Sequence, residues 1–275
     1  VLTDRCRDAF PGSRCNQIRI AALAAVLLFM TPGCAPRKAP PALPPLPPVA
    51  ANVLLQQVES CGAGVTALRG LAKVQLANGE KNVTVRQVIL AGYPDRLRTE
   101  TLSPFGSPLL VLASDGRNLD ALLPGEGRFL HGPASAENLR RFTRLPLRLP
   151  DLVGLLLYRP PLFPWDAMRG GSGEAGERYR LFLDGPAARR QVFSFDAALR
   201  LSGAAYYDGK ELLLEIGYGE FGNASTPFPR QAELQLPAHG VTAKIRFEEV
   251  ELNADLPAVL FHLQPPPGVV VEELP

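Results

Sequence analysis

Leu102-Ser103-Pro104-Phe105-Gly106-Ser107-Pro108-Leu109-Leu110-Val111-Leu112 is the stretch whose reading decides the fold. Before it, Arg96-Leu97-Arg98-Thr99-Glu100 alternates in polarity; after the turn, Leu109 to Ala113 is a continuous apolar run. Both flanks read as strands. Between them Pro104 presets φ for the first corner, and Gly106 tolerates the positive φ that a tight turn needs. Turn tips are normally wet and polar, yet this one carries Phe105. Either the turn folds back and Phe105 packs on the sheet, or Phe105 protrudes to meet a lipid or a partner.

The strand pattern continues on both sides. Lys73-Val74-Gln75-Leu76 alternates, and Asn78-Gly79 is a hairpin signal. Val83, Val85 and Ile89 then face one way, with Thr84, Arg86 and Val88 the other. Tyr93-Pro94-Asp95 and Ser114-Asp115-Gly116-Arg117 read as turns, and Leu119 to Leu123 pairs with Arg128 to His131. The last third repeats the arrangement through Gln191 to Phe195, Leu201 to Tyr207, Glu211 to Tyr218 and Gln231 to Leu236. In Val241 to Phe247 the residues Val241, Ala243, Ile245 and Phe247 share one face. Val259 to Leu263 is a further short segment, and Pro265-Pro266-Pro267 ends regular structure. Consecutive strands joined by short turns predict an antiparallel meander with one wet and one apolar face.

Three helices are expected. Asn52 is a candidate N-cap for a stripe of Val53, Leu54, Val58, Cys61 and Val65, ending near Cys61. Ser135 caps a polar helix with Leu139 and Phe142 on one side, and Pro150-Asp151 starts a second that runs through Leu157. If the sheet curls, its apolar face and the last two helices enclose an apolar cavity.

The amino-terminal region has its own logic. Arg5, Arg7 and Arg14 precede the apolar run Ala21 to Met30, and Thr31-Pro32-Gly33-Cys34 follows. That is the layout of a secretory signal, too short for a span of about 20 residues. Cys34 after Gly33 gives it the look of a bacterial lipoprotein signal, with residues 1–33 removed and Cys34 acylated. An ordinary signal peptide cleaved nearby is the alternative. Ala35, where Asp would favour inner-membrane retention, resembles an outer-membrane sorting signal. Residues 34–51 are then the anchor and a Pro-rich tether, in polyproline II at ~3.1 Å per residue, and residues 52–275 the folded domain.

Composition excludes several function classes. The 275 residues are 46% hydrophobic and 20% charged, with a net charge of +2 that makes no electrostatic case for nucleic acid. The four cysteines fit no zinc spacing and form no Cys-x-x-Cys. His131, His239 and His262 lack a nucleophile or paired carboxylate at diagnostic spacing, and Glu248-Glu249 and Glu272-Glu273 read as solvated charge. Gly171-Ser172-Gly173-Glu174-Ala175-Gly176 spells a dinucleotide fingerprint, but a Pro-rich segment precedes it and the strand Arg178 to Leu183 follows, so it reads as a flexible loop. No catalytic set, metal site or cofactor is expected.

The strand-turn-strand from Leu97 to Leu112 resembles the corresponding element of the LolB family, the outer-membrane receptors of bacterial lipoprotein localisation. The family turn reads Asn-Pro-Leu-Gly-Ser, so Ser103 and Phe105 stand where it has Asn and Leu. Ala134 to Leu157 is similar too: a helical stretch, the Pro-bracketed Leu145-Pro146-Leu147-Arg148-Leu149-Pro150, then Leu152 to Leu157. The resemblance extends loosely over Leu68 to Phe261. It implies a mainly β fold with α (α+β), in which a curved antiparallel sheet forms an open half-barrel covered by short helices over an apolar cavity.

By position, the family's role of passing acyl chains into the membrane falls on Phe105, between Pro104 and Gly106. Val83, Val85, Ile89, Leu139, Phe142, Leu152, Leu156, Ile245 and Phe247 are the candidates for the acyl cavity. The resemblance implies a monomer that takes acylated lipoproteins from a LolA-like periplasmic carrier. It would insert them into the inner leaflet of the outer membrane with no energy source of its own. A same-fold protein carrying another lipid, and a non-catalytic envelope scaffold, are the alternatives.

Overall fold

The computed structural model describes residues 47–79, 81–172, 179–222 and 227–275. The expected signal peptide, Cys34, the tether as far as residue 46 and the Gly-rich residues 173–178 lie outside the described residues. Gly79, at φ 58°, helps reverse the chain between β1 (Ala67–Asn78) and β2 (Lys81–Gly92). The meander continues through β3 (Arg96–Leu102), β4 (Pro108–Ser114), β5 (Asn118–Leu123) and β6 (Arg128–Pro133). A second meander comprises β7 (Ala167–Ser172), β8 (Tyr179–Asp184), β9 (Arg189–Phe195), β10 (Leu201–Asp208), β11 (Glu211–Phe221), β12 (Pro229–Leu236) and β13 (Val241–Leu252).

Because β13 pairs antiparallel with β1, the two meanders merge into one sheet, of 14 strands with β14 included. β14 (Val270–Glu273) adds to it parallel to β6. The sheet is curved and does not close, so the fold is mainly β with short helices, an open half-barrel. Its edges are β14 and β7.

This topology dictates a lid. β6 lies beside one edge of the sheet and β7 forms the other, so the connection between them has to cross the whole sheet. It carries α2 (Ala136–Thr143) and α3 (Leu149–Leu156), after α1 (Ala51–Ser60) at the start of the fold. The Ser135 hydroxyl accepts the Asn138 N–H at 3.1 Å, satisfying one of the orphan donors of α2. Pro150 sits in the first turn of α3, where its missing N–H costs nothing. Leu149, Leu152, Val153, Leu155 and Leu156 are all buried. A helix apolar on every side belongs in an interior, and these residues share one core with the inward side chains of the sheet.

The end of α3 shows what that burial demands. Arg159 N–H donates to the Gly154 carbonyl at 2.7 Å and Tyr158 N–H to the Leu155 carbonyl at 3.3 Å, a Schellman closure. The left-handed position at φ 61° belongs to Tyr158, where glycine is usual. Its ring compensates by stacking edge-on against Tyr218 at 4.9 Å, and its hydroxyl donates to the buried Leu201 carbonyl at 2.7 Å.

Five expectations need correction. α1 starts at Ala51, so Asn52 lies inside the first turn and Ala50 takes the cap position without a side-chain bond. Val259 to Leu263 is no strand: Ala258–Phe261 is a 3₁₀ turn. It buries Phe261 with Leu90 and Leu256 in a second small cluster, beneath the Arg96 guanidinium. Regular structure resumes after the proline triplet as β14, and there Glu272 is bound by Arg128 at 2.7 and 2.8 Å rather than left to solvent. Gly171 and Ser172 belong to β7, an antiparallel edge strand, and not to a loop.

Candidate functional site: an exposed aromatic tip and a covered apolar face

The β3–β4 turn is held by its own backbone. Ser103 N–H donates to the Ser107 carbonyl at 2.8 Å, and Gly106 N–H to the Ser103 carbonyl at 2.9 Å. The Ser103 hydroxyl accepts the Ser107 N–H at 3.1 Å, and Gly106 has φ 86°. So fixed, the turn cannot fold its tip onto the sheet. Phe105 is 96% exposed, with Pro104 and Gly106 exposed on either side, and Leu109 nearby is 54% exposed. Antiparallel neighbours place the β1–β2, β3–β4 and β12–β13 turns at the same end of the sheet.

Behind this rim, between the sheet and the lid, lies an apolar cavity of about 70 Å³. Of the residues expected there, Ile89 and Ile245 line it from the sheet, and Phe142, Leu152 and Leu156 from α2 and α3. The other four lie elsewhere. Val83 is on the inward side of β2 but beyond the lid, and is 53% exposed. Val85 is half-buried opposite Val74. Leu139 is buried in the packed core under α2. Phe247 is buried over Gly70, where even a Cβ would come within 2.9 Å of its ring.

The cavity also takes in Val74, Leu76, Leu97, Leu110, Leu112 and Leu145, which sequence reasoning did not single out. Period-two alternation could have found Leu97 and Thr99, or Leu110 and Leu112, since each pair shares a face. The lining is not wholly apolar: Gln87, Thr99 and Thr143 contribute to it, and Gln87 Nε2 donates to Thr101 Oγ1 at 2.8 Å.

The ionisable groups next to α3 are silenced by burial. Desolvation pushes the Cys61 thiol up to about 12, with the neighbouring Tyr158 hydroxyl and Arg159 charge opposing it. Burial likewise raises the hydroxyls of Tyr158, Tyr206 and Tyr218 far above the ordinary tyrosine range. Neutral hydroxyls that donate to backbone carbonyls tie down one end of the lid: Tyr158 to Leu201, and Tyr206 to Pro161 at 2.7 Å.

No protein-family model matches the chain, and no curated protein matches it. Solved structures do. A LolA superfamily protein from Nitrosomonas europaea is 16% identical, covering 78% of this chain and 99% of that one at a TM-score of 0.51. The chain has a LolA-like fold. A domain from Vibrio parahaemolyticus described as an outer membrane lipoprotein-sorting protein is 14% identical, over 78% of this chain and 98% of that one, at a TM-score of 0.50. A DUF1329 family protein from Desulfovibrio piger is also 14% identical, over 77% and 95%, at 0.51.

Proposed function

We propose that this protein is a lipid-anchored receptor on the periplasmic side of the outer membrane. It accepts acylated lipoproteins from a soluble carrier and inserts them into the inner leaflet. The observation that carries the reading is Phe105, an aromatic side chain 96% exposed on a rigid turn at the mouth of an apolar, helix-covered sheet. Single exposed apolar residues are common on protein surfaces, so the weight rests on the place of Phe105, at the tip of a hydrogen-bonded turn beside exposed Leu109 and at the end of the apolar face.

The energetics ask for no catalytic step, cofactor or nucleotide. Each CH₂ of an acyl chain is worth ~0.8 kcal/mol of transfer from water, so a carrier must cover the chain in transit. Handover is downhill if this interior holds the chain better than the carrier does and the membrane better still. The cavity of about 70 Å³ is smaller than the ~150 Å³ void that admits benzene. It belongs to an unloaded, closed state, and loading moves the α2–α3 segment off the sheet.

The test is to mix the protein with an acylated lipoprotein already held by its periplasmic carrier, without ATP, and to ask which protein holds it afterwards. Transfer to this protein, and onward to vesicles, is the expected result. No transfer to a well-folded protein would sink the reading. The smallness of the cavity favours one rival, an envelope scaffold with a solid core, for which neither acyl transfer nor co-purifying lipid is expected.

A further inference from the structure

At the same end of the sheet as Phe105, α2 and the β12–β13 turn border a cleft of about 270 Å³. Arg140, Arg141 and Arg144 line it from the lid, and Asn78 and His239 from the sheet turns. Its one carboxylate, Glu137, is engaged by Arg140 at 3.2 Å. Among the described residues, Arg141 and Arg144 have no carboxylate within ion-pair distance, and both are exposed. Arg144 ends α2 in the left-handed region at φ 63°. Glycine or asparagine would be cheaper there, and the chain instead places a guanidinium at that point. Two unpaired guanidinium forks in one cleft match the oxygens of a phosphate.

We propose that this cleft binds the phosphate of an anionic phospholipid headgroup when the Phe105 rim meets the membrane. The inference rests on the proposed function for the orientation of that rim. An apolar tip that enters the acyl boundary, beside cations that read headgroups, is the composition of an interfacial membrane contact. The arginines lie on α2, so headgroup binding engages the lid itself. The membrane would thus grip the element that has to move for cargo to leave.

The experiment is vesicle sedimentation of the full chain, comparing phosphatidylcholine vesicles with and without phosphatidylglycerol. Arg141→Gln with Arg144→Gln is expected to bind the anionic vesicles roughly twentyfold more weakly than the parent. It should bind the neutral vesicles equally well, and the Lys pair at the same positions should recover only part of the binding, because an ammonium keeps the charge and loses the fork. Both side chains are exposed, so the fold is retained, and matched thermal unfolding confirms it. Arg117→Gln with Arg230→Gln, at the opposite end of the sheet, controls for net charge. An equal loss in that control, an equal loss on neutral vesicles, or no loss at all overturns the proposal. So does a loss confined to binding the carrier protein.

The two readings fail separately. Loss of anionic-vesicle binding in the arginine pair, with no transfer of lipoprotein from the carrier to the parent protein, keeps the cleft and removes the receptor. Transfer that depends on Phe105, with the arginine pair silent, does the reverse.

Discussion

The Asp120 carboxylate meets Nδ1 of His131 at 2.7 Å across the β5–β6 pair, and its other oxygen accepts the Leu263 N–H at 2.9 Å. Asp120 is buried, so this contact joins the sheet to the segment that leads into β14. The hydrogen bond to Asp120 raises the His131 pKa above its ordinary 6.5, against some desolvation, with the charges of Asp120, Glu273 and Asp115 adding to the rise.

A pH dependence follows from that direction. The folded pKa lies above the unfolded one, so the pair's contribution is fully present below about pH 6.5. It is lost as pH rises through the folded value. The ring is partly solvated, so the effect is a few tenths of a kcal/mol. His131→Gln is expected to remove this component from the urea midpoint measured between about pH 5 and 8. A parent midpoint that climbs with pH in that window through His131 would contradict the assignment.

The tyrosine anchors of the lid predict a second effect. Tyr158→Phe or Tyr206→Phe leaves a carbonyl, that of Leu201 or Pro161, without its hydroxyl donor. Each change is expected to cost about 1–3 kcal/mol, read as a lower denaturation midpoint with an unchanged slope. Tyr158→Gly relieves the strained φ of 61° but removes the ring from the Tyr218 contact. It should therefore be worse than Tyr158→Phe; the opposite ranking would mean that the backbone term dominates.

The cavity offers a prediction in which stability and binding move in opposite directions. Leu152 lines it from α3 and is buried, so Leu152→Ala should cost about 2–5 kcal/mol. The same change enlarges an apolar space of about 70 Å³ and should increase the uptake of a small fluorescent naphthylamine. Destabilisation without added uptake would mean that the core collapses into the gap and that no expandable site lies there.

The meander was legible because its signals are local. Asn78-Gly79 closes a hairpin with Gly79 at positive φ, and Val241 to Phe247 alternates in burial as in polarity. β7 was missed because Met168-Arg169-Gly170-Gly171 carries no alternating apolar face, and an edge strand needs none. β14 was missed because its parallel partner β6 lies more than a hundred residues away, which no local pattern reports. Of the site, the exposed tip was posed as a question by one residue, Phe105. The cavity lining was read only in part, because inward alternation marks Phe247 and Ile245 alike. Which of them meets open space depends on where the lid stops, and the Phe247 ring occupies the space that Gly70 leaves by having no side chain.

Phe105 carries the last prediction. At 96% exposure it supports no packing in the fold, so substitutions there should change stability by less than about 0.5 kcal/mol. Burying a Phe side chain in an apolar medium is worth about 1.5–3 kcal/mol, which a carboxylate forfeits and reverses. Phe105→Glu should therefore leave acceptance of lipoprotein from the carrier intact and slow its delivery to vesicles by at least tenfold. Phe105→Leu should deliver at close to the parent rate, because the step needs apolar area and not an aromatic ring. Measuring acceptance and delivery separately makes the assignment exposed to failure. If Phe105→Glu blocks acceptance instead, the tip contacts the carrier and not the bilayer; if it changes neither step, the exposed aromatic has another purpose.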